Sequence, residues 1–385
     1  MTPWRSQAFR AEAIAGGGSA GVITNAVATA AALHKHTPDA PPVFTLGHLA
    51  HLTDVHYRFL RQVVERQDPE RYRRFRILKR TSGAGGAPRY RIICVPDPRL
   101  MRVQRWINAN VLALGHVHKA STAFKAGDNI VAAAGVHCDA KWMIKIDILN
   151  FFESVSEQSV YHVFRGLGYQ PLISFELARL CTRRGESSNA RRGKRWAHSV
   201  GHAKRITNYH SSVLGHLPQG APTSPMLANL AMKGFDEAVS RLADTYDLSY
   251  TRYADDLTLS SLGLFDRSRA QTIVSEVYDQ LRCWGFRPNL AKTLIVPPGA
   301  RKVVLGLLVD RQVPRLTKAF RARMRRHLYF LSHPQHGPVK HAAALGFASV
   351  YGLRNHVSGL IAYAQQVDAN FAADAWGKFD AIVWP

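Results

Sequence analysis

The sequence predicts an α+β protein with antiparallel strand pairing at its centre. Three observations carry this prediction. Short apolar strand candidates alternate with helical stretches along the chain. A glycine-rich loop at 81–88 joins two extended segments in the manner of a hairpin. A second strand pair, at 248–259, places two adjacent aspartates at its turn. With 385 residues, the chain is long enough for two or three compact units.

Each predicted element follows from a local pattern of apolar, turn-forming and helix-breaking residues. In chain order the predicted elements are a flexible joint (16–21), a short helix (22–34), helical pieces from 45 to 65, strands at 75–80 and 89–96, a helix (99–114), a strand (143–148), a helical region (155–182), a basic insertion (183–212), helices at 225–242 and 267–285, a strand (303–309) and helices from 317 onward. No internal repeat of the kind that marks solenoids is visible.

Charge is the first functional signal. Lys and Arg number 51 against 27 Asp and Glu, a net charge of +24. A compact protein this basic favours a polyanionic partner, with nucleic acid first and a membrane surface second. No run of about 18 apolar residues predicts a membrane span, and no signal peptide is apparent, so we expect a cytoplasmic protein without a membrane partner. The four cysteines are too dispersed for a zinc site or disulfide framework.

Three carboxylates carry the chemistry. Asp255 and Asp256 stand together between apolar strand residues, an arrangement that is unfavourable without a cation; a solvated Asp-Asp turn is the alternative. Asp147 lies late in the apolar strand 143–148, where an unpaired carboxylate is costly. A shared divalent metal satisfies all three, and oxygen ligands favour Mg²⁺. Two such ions would support phosphoryl transfer, which depends on positioning and charge neutralisation.

The order of these motifs resembles that of reverse transcriptases of the retron and group II intron branch. The strand with Asp147 is followed by Phe151-Phe152, then by the segment Leu217–Pro225, which contains PQGAPTSP, and then by the YADD hairpin. Further segments resemble the family's fingers hairpin and following helix, its NxxKT turn and its primer-grip strand; they lie at 72–80, 89–92, 104–107, 289–293 and 304–309. The resemblance covers about residues 45–330 and rests on several unrelated segments.

The resemblance implies a right-hand polymerase with fingers, an antiparallel palm sheet flanked by helices, and a helical thumb. The implied bounds are an N-terminal extension at 1–44, fingers at 45–140, a palm at 141–310 that includes the basic insertion, and a thumb at 311–385. The basic insertion is as consistent with a solvated loop as with an RNA-binding segment. The thumb helix carries an apolar stripe with arginines around it, which suits packing on one side and backbone contacts on the other.

The resemblance also assigns a role to each candidate site residue. It implies the following: metal and catalytic ligands Asp147, Asp255 and Asp256, with the backbone carbonyl of Ile148; triphosphate contacts from Lys79 and Arg91; a steric gate at Phe152 beside Phe151; nucleotide or template contact from Gln219; pyrophosphate contact from Lys292; and nucleic-acid contacts from Tyr253, Gly306, Arg321 and Arg325. Core packing is the alternative role for Phe152, and a surface lysine is the alternative for Lys292.

A retron-type enzyme is the expected kind of reverse transcriptase, because about 75 residues follow the grip strand and no endonuclease-like cluster is visible. The resemblance then implies a structured non-coding RNA as template and primer, dNTPs as substrates, an RNA-linked DNA product (msDNA), an effector protein partner and a role in antiphage defence. Two motifs depart from the retron pattern: only the Ala and His of Asn-Ala-x-x-His are present, at Ala134 and His137, and Val304-Leu305-Gly306 replaces Val-Thr-Gly. Another bacterial reverse transcriptase, or a non-catalytic RNA-binding scaffold, is the alternative.

Overall fold

The structure is a computed structural model of the chain that describes residues 4–67, 69–78, 90–184, 214–263 and 265–385. Its helices are α1 (Ser6–Ala15), α2 (Ala20–His36), α3 (Leu46–Thr53), α4 (Tyr57–Val64), α5 (Pro98–Asn110), α6 (Ile130–Gly135), α7 (Phe151–Ser154), α8 (Glu157–Gly166), α9 (Pro171–Cys181), α10 (Ser224–Ala231), α11 (Lys233–Thr245), α12 (Arg267–Cys283), α13 (Lys318–Ser332), α14 (Gly337–Ala344), α15 (Val350–Gln365) and α16 (Ala369–Asp380).

The strands are short and all pair antiparallel within the described residues. They are β1 (Tyr72–Leu78), β2 (Tyr90–Pro96), β3 (Trp142–Asp147), β4 (Ser249–Tyr253), β5 (Asp256–Ser261), β6 (Leu294–Val296), β7 (Val303–Val304), β8 (Leu307–Leu308) and β9 (Arg315–Leu316). Mixed helices and antiparallel sheets confirm the predicted α+β class. No helix in the described part of the chain is long and apolar enough to cross a bilayer.

Polar side chains cap α5 and α13, whose starts the sequence indicated, and also α16, whose start it did not. Asp97 accepts a hydrogen bond from the backbone N–H of Arg99, one residue after Pro98 opens α5. The Thr317 hydroxyl accepts from the N–H of Phe320 at the start of α13, and the Asp368 carboxylate accepts from that of Phe371 at the start of α16. Each cap satisfies one of the backbone donors that a first helical turn leaves unpaired, which stabilises the helix by about 1 kcal/mol.

The chain divides into two compact units. The first comprises Met1–Phe124, Ile148–Ala238 and Gln280–Pro288. In it, β1 and β2 form a hairpin in which Tyr72 lies opposite Pro96 and Leu78 opposite Tyr90. The hairpin loop predicted at 81–88 lies outside the described residues. The predicted strands at 75–80 and 89–96 correspond to β1 and β2.

A buried ion cluster organises the helical part of this first unit. The Glu157 carboxylate receives the Arg66 guanidinium at 2.6 Å and the Arg179 guanidinium at 2.8 Å, and its side chain is 2% exposed. Arg66 also donates to the Thr182 hydroxyl at 2.6 Å. Because all partners are hydrogen-bonded, the cluster avoids the large cost of an unpaired buried charge.

Beside that cluster, Arg183 and His216 form a backbone bridge, which we call the neck. The backbone N–H of Arg183 donates to the carbonyl of His216 and the N–H of His216 donates to the carbonyl of Arg183, both at 3.0 Å. The guanidinium of Arg183 is paired with Glu70 at 2.6 Å. Most of the basic insertion predicted at 183–212 lies outside the described residues, and only its first two residues, Arg183 and Arg184, belong to this neck.

The second unit comprises Lys125–Asp147, Val239–Asp279 and Asn289–Pro385. It contains a four-stranded sheet in the order β4-β5-β3-β6 and a three-stranded sheet in the order β7-β8-β9. Helices α13 to α16 share a buried core with the small sheet. This core includes Leu307, Met324, Leu353, Val357 and Ile361.

Three structural expectations need correction. The continuous strand predicted at 303–309 is a tight hairpin, because Leu305 and Gly306 both have positive φ angles, of 50° and 84°, and reverse the chain between β7 and β8. The helical regions predicted at 155–182 and 225–242 each divide into two helices. Helix α1 was not anticipated; it ends at Ala15, directly before the glycines of the predicted flexible joint.

Candidate active site

The three predicted carboxylates lie at one edge of the four-stranded sheet, within the second unit. Asp147 is the last residue of β3 and Asp256 is the first residue of β5, and the two are directly opposite each other in the antiparallel register. Asp255 lies in the two-residue turn that joins β4 to β5. The sheet therefore brings together side chains that are more than 100 residues apart in sequence.

The turn that carries Asp255 has a strained backbone and a dedicated support. Ala254 has a φ of 54°, a left-handed conformation that costs a non-glycine residue about 1–2 kcal/mol. The fully buried side chain of Arg252 donates a hydrogen bond from Nη1 to the carbonyl oxygen of Ala254 at 3.1 Å. A charge-assisted hydrogen bond of this kind stabilises the turn in its reversed form.

Two lysines and one asparagine hold the carboxylates in place. Lys145 Nζ lies 3.1 Å from Asp256 Oδ2, and Lys292 Nζ lies 2.9 Å from the Asp147 carboxylate. Asn289 donates from Nδ2 to Asp147 Oδ1 at 2.7 Å, and its backbone N–H donates to the Asp147 carbonyl at the same distance. Asp147 is thus fixed by both its side chain and its backbone.

The electrostatics of the site indicate a shortage of positive charge. Burial raises the pKa of the Asp255 carboxyl, and the neighbouring Asp147 charge raises that pKa further. Burial also raises the pKa of Asp256; the Lys145 ammonium opposes the rise, while the charge of Asp147 adds to it. Three carboxylates in one partly buried place repel one another, and a multivalent cation would relieve that repulsion.

The donor set fits a hard divalent cation, because it consists of carboxylate oxygens. Within the described ranges, however, no three His, Cys, Asp or Glu side chains are already arranged around one point. The ion pairs explain this arrangement: Lys145 holds Asp256 and Lys292 holds Asp147, so the lysines supply part of the charge that a metal would supply. Residues Asp147, Asp255 and Asp256 would hold the ions.

The other predicted site residues of this unit occupy different surroundings. Tyr253 ends β4 opposite Asp256. Gly306 lies in the β7–β8 turn, where an added Cβ would approach the Tyr363 hydroxyl at 3.1 Å. On α13, Arg321 is paired with Asp368 at 2.5 Å, whereas Arg325 is exposed.

The remaining predicted residues belong to the first unit. Ile148 is buried and forms an antiparallel bridge with Pro288. The Phe151 ring is buried, and the half-buried Phe152 ring lies 5.3 Å from it and 6.3 Å from that of Phe124. Both the gate and the core-packing role of Phe152 stay predictions. Arg91 is exposed on β2. Lys79 lies outside the described residues.

Gln219 is anchored through its backbone. Its carbonyl accepts a hydrogen bond from the N–H of Cys94 on β2 at 2.7 Å. The next residue, Gly220, has a φ of 109°, and a Cβ there would come within 2.8 Å of Ile93. Glycine is therefore favoured at position 220 by its positive φ angle and by the close approach between this loop and β2.

Besides Arg252, sequence reasoning missed three residues that shape the carboxylate edge. Lys145 lies two positions before Asp147, and the two-residue period of a strand could have placed both on one face. Asn289 opens the NxxKT turn but was given no role of its own. His137 was noted only as part of a family motif; its ring bonds the Ser260 and Thr251 hydroxyls at 2.7 Å each, joining β5 to β4.

The chain is similar in sequence to known proteins. The family model described as reverse transcriptase (RNA-dependent DNA polymerase) matches residues 77–309. The Retron Mx162 reverse transcriptase of Myxococcus xanthus is 34% identical over 57% of this chain and 44% of its own length. The Retron Ec86 and Ec83 reverse transcriptases of Escherichia coli are 26% and 30% identical, over 88% and 53% of this chain and 94% and 58% of their own lengths. The chain thus spans about half of two of these relatives and nearly all of the third.

Proposed function

This chain belongs to the reverse transcriptase family, and we propose that it works as a retron-type RNA-directed DNA polymerase with Asp147, Asp255 and Asp256 as its metal-binding carboxylates. The observation that carries the proposal is the register of the four-stranded sheet, which sets Asp147 opposite Asp256 and places Asp255 in the adjoining turn. The division into an N-terminal extension (1–44), fingers (45–140), palm (141–310) and thumb (311–385) is part of the proposal.

Two Mg²⁺ ions, when bound, would activate the attacking 3′-hydroxyl and neutralise charge on the leaving pyrophosphate. The chain's own residues hold and release the ligands of these ions. Lys145 and Asn289 keep Asp256 and Asp147 oriented, while Arg252 maintains the turn that presents Asp255. Lys292 forms an ion pair with Asp147 and, on release, its ammonium would meet the negative charge of the pyrophosphate.

Nucleotide selection is assigned to residues of the first unit. The exposed Arg91, together with Lys79, would bind the triphosphate, because a guanidinium matches phosphate oxygens in geometry. The half-buried ring of Phe152 would clash with a ribose 2′-hydroxyl and so favour dNTPs over rNTPs. Gln219, held by its backbone against β2, would contact the incoming nucleotide and the template.

The retron relatives support a more specific form of this function. We assign to the chain a structured non-coding RNA that serves as template and primer, an RNA-linked DNA product (msDNA), cytoplasmic action, and a defence role against phage with an effector protein. The net charge of +24 supports a nucleic-acid partner.

A primer-extension assay tests the polymerase. We expect the purified protein to extend oligo(dT) on poly(rA) with dNTPs and Mg²⁺, and Asp255→Asn to abolish extension while RNA binding persists. Asp244→Asn, which changes an exposed carboxylate on α11, is the matched control and should remain active. Extension by Asp255→Asn at the wild-type rate would defeat the site assignment.

A separate experiment tests the retron assignment. The protein is expressed with its native flanking DNA, and the nucleic acid that copurifies with it is treated with DNase or RNase and run on a denaturing gel. A discrete DNase-sensitive species that shortens slightly with RNase indicates DNA joined to RNA. Bound RNA without DNA, from a protein that extends primers, would retain the polymerase and reject the retron assignment.

A further inference from the structure

A pocket lies between α13 and α16 in the second unit, and none of its lining residues belongs to the carboxylate edge. It has a volume of about 520 Å³, within the range of about 300–1,000 Å³ that is usual for sites that bind small molecules. Its lining includes Met324, Leu328 and Ala375, which are buried members of the helical core. The floor is therefore apolar and rigid, because its side chains are fixed by packing on their other side.

One wall of the pocket is aromatic. Tyr329 is 62% exposed although it stands on a helix with a buried face, and its ring lies 5.6 Å from that of His333, which also lines the pocket. Phe371 of α16 contributes a second ring. Phe371 is half-buried and the Arg321 guanidinium lies 4.9 Å from its ring centroid, so the exposed ring of Tyr329 is the main stacking surface beside the apolar floor. A nucleobase stacks on such a ring whatever its identity.

The rim of the pocket is basic. Arg325 is exposed there, and Lys378 forms an ion pair with Asp374 at 2.8 Å, so the three charged side chains together carry one net positive charge. Helix α13 itself contains five Lys or Arg residues and no Asp or Glu. A phosphate group at the rim would thus face a cation, although Asp374 prevents a strongly attractive field.

A hydrogen-bond donor is available as well. The backbone N–H of Gln335 donates to His333 Nδ1 at 3.3 Å. In the neutral imidazole the proton is then carried by Nε2, which can donate to an acceptor on a base edge. Ser332 adds a hydroxyl that can donate or accept.

We propose that this pocket binds an unpaired nucleotide of the RNA that the protein copies, with the base stacked on the exposed ring of Tyr329 and the phosphate at Arg325. The inference rests on the proposed function and deepens it, because it names a contact that could select this RNA through a splayed-out base. Stacking rings, an apolar floor and a basic rim together favour a nucleotide over an apolar peptide segment, which would have no use for the cations.

The proposal is tested by binding and by cross-linking with the full-length protein. The probe is a short, unstructured RNA oligonucleotide of mixed sequence that carries 4-thiouridine and a fluorophore. Binding is followed by fluorescence polarisation at raised salt, which weakens phosphate contacts and leaves stacking. Tyr329→Ala removes the ring on which one base stacks, so this variant should bind the RNA probe about 5- to 150-fold more weakly than the wild type does.

Matched variants separate stacking from folding. Tyr329→Phe keeps the ring and should bind as the wild type does. Tyr351→Ala removes a tyrosine of α15 that is 68% exposed and does not line the pocket, and should also bind normally. After irradiation, mass spectrometry should find the cross-link on Tyr329 or Phe371. Normal binding by Tyr329→Ala, or cross-links that all lie elsewhere in the chain, would overturn the proposal.

The proposed polymerase is judged separately, by primer extension with the wild-type protein on poly(rA) and oligo(dT). A protein that extends the primer but shows no effect of Tyr329→Ala retains its polymerase function and loses the nucleotide pocket. A wild-type protein that binds RNA through the pocket but does not extend a primer would keep the nucleotide pocket and lose the proposed polymerase function.

Discussion

Replacing His137 by glutamine should change how the stability of this protein depends on pH. The His137 ring is fully buried and bridges Thr251 of β4 and Ser260 of β5, the two strands that flank the Asp255-Asp256 turn. Burial, with a smaller contribution from the Lys145 charge, lowers the pKa of His137 from 6.5 to about 4. The folded protein therefore keeps this ring neutral, whereas the unfolded chain protonates it near pH 6.5.

The magnitude follows from that difference. Stability from the neutral ring is fully present above pH 6.5 and is lost as the pH falls toward 4. At about 1.4 kcal/mol per pKa unit, the total loss in the free energy of unfolding is about 3 kcal/mol, of which about 2 kcal/mol has occurred at pH 5. Glutamine can donate and accept hydrogen bonds but does not titrate. His137→Gln should therefore lower the free energy of unfolding at pH 7.5 by about 1–2 kcal/mol, because its hydrogen bonds are poorer.

Urea unfolding, followed by tryptophan fluorescence at pH 7.5 and pH 5, measures this effect. The free energy of unfolding of the wild type minus that of His137→Gln should fall by about 2 kcal/mol between pH 7.5 and pH 5, so that the variant is as stable as the wild type, or slightly more stable, at pH 5. Comparing the proteins at each pH cancels the titration of other groups. A difference that stays constant with pH would refute the reasoning, because it would mean that His137 titrates alike in the folded and unfolded chains.

Three further changes have expected outcomes. Lys145→Met should lower the free energy of unfolding in EDTA by about 1 kcal/mol, because Asp256 loses its cation. Mg²⁺ should then raise the thermal midpoint of this variant more than that of the wild type. Equal increases would show that Lys145 does not substitute for metal charge. Phe152→Ala should raise rNTP incorporation relative to dNTP by about 10-fold or more, and unchanged selectivity in primer extension would remove Phe152 as the gate. Glu157→Gln should lower the free energy of unfolding by about 3–5 kcal/mol, since two guanidinium groups lose their buried partner; a loss below about 1 kcal/mol in urea titrations would contradict this.

The catalytic candidates could be predicted from sequence because their patterns are local. An aspartate in an apolar strand and a pair of aspartates between two strands are each unfavourable alone, and a shared site explains both. The structure then gave the register, Asp147 opposite Asp256, which no local pattern contains. The roles of the site residues in catalysis remain predictions.

Other features depend on contacts that are distant in sequence. His137 meets its two partners across 123 and 114 residues, so its bracing role could not be read from the residues around it. The run 303–309 is apolar enough for a strand, but its single glycine marks the reversal at Leu305-Gly306. Local periodicity therefore located most elements and failed where the backbone conformation of one or two residues decided the path.

The neck at Arg183 and His216 has a consequence for where the length of this chain can be changed. Two backbone hydrogen bonds hold these residues side by side, and the Arg183–Glu70 ion pair ties the neck to the first unit. In general, a polypeptide whose two ends are already joined can change in length at an entropic cost that grows only slowly with the number of residues. The neck is therefore a suitable place for an engineer to exchange one segment for another, because the backbone bonds and the ion pair that hold it do not depend on the segment inserted.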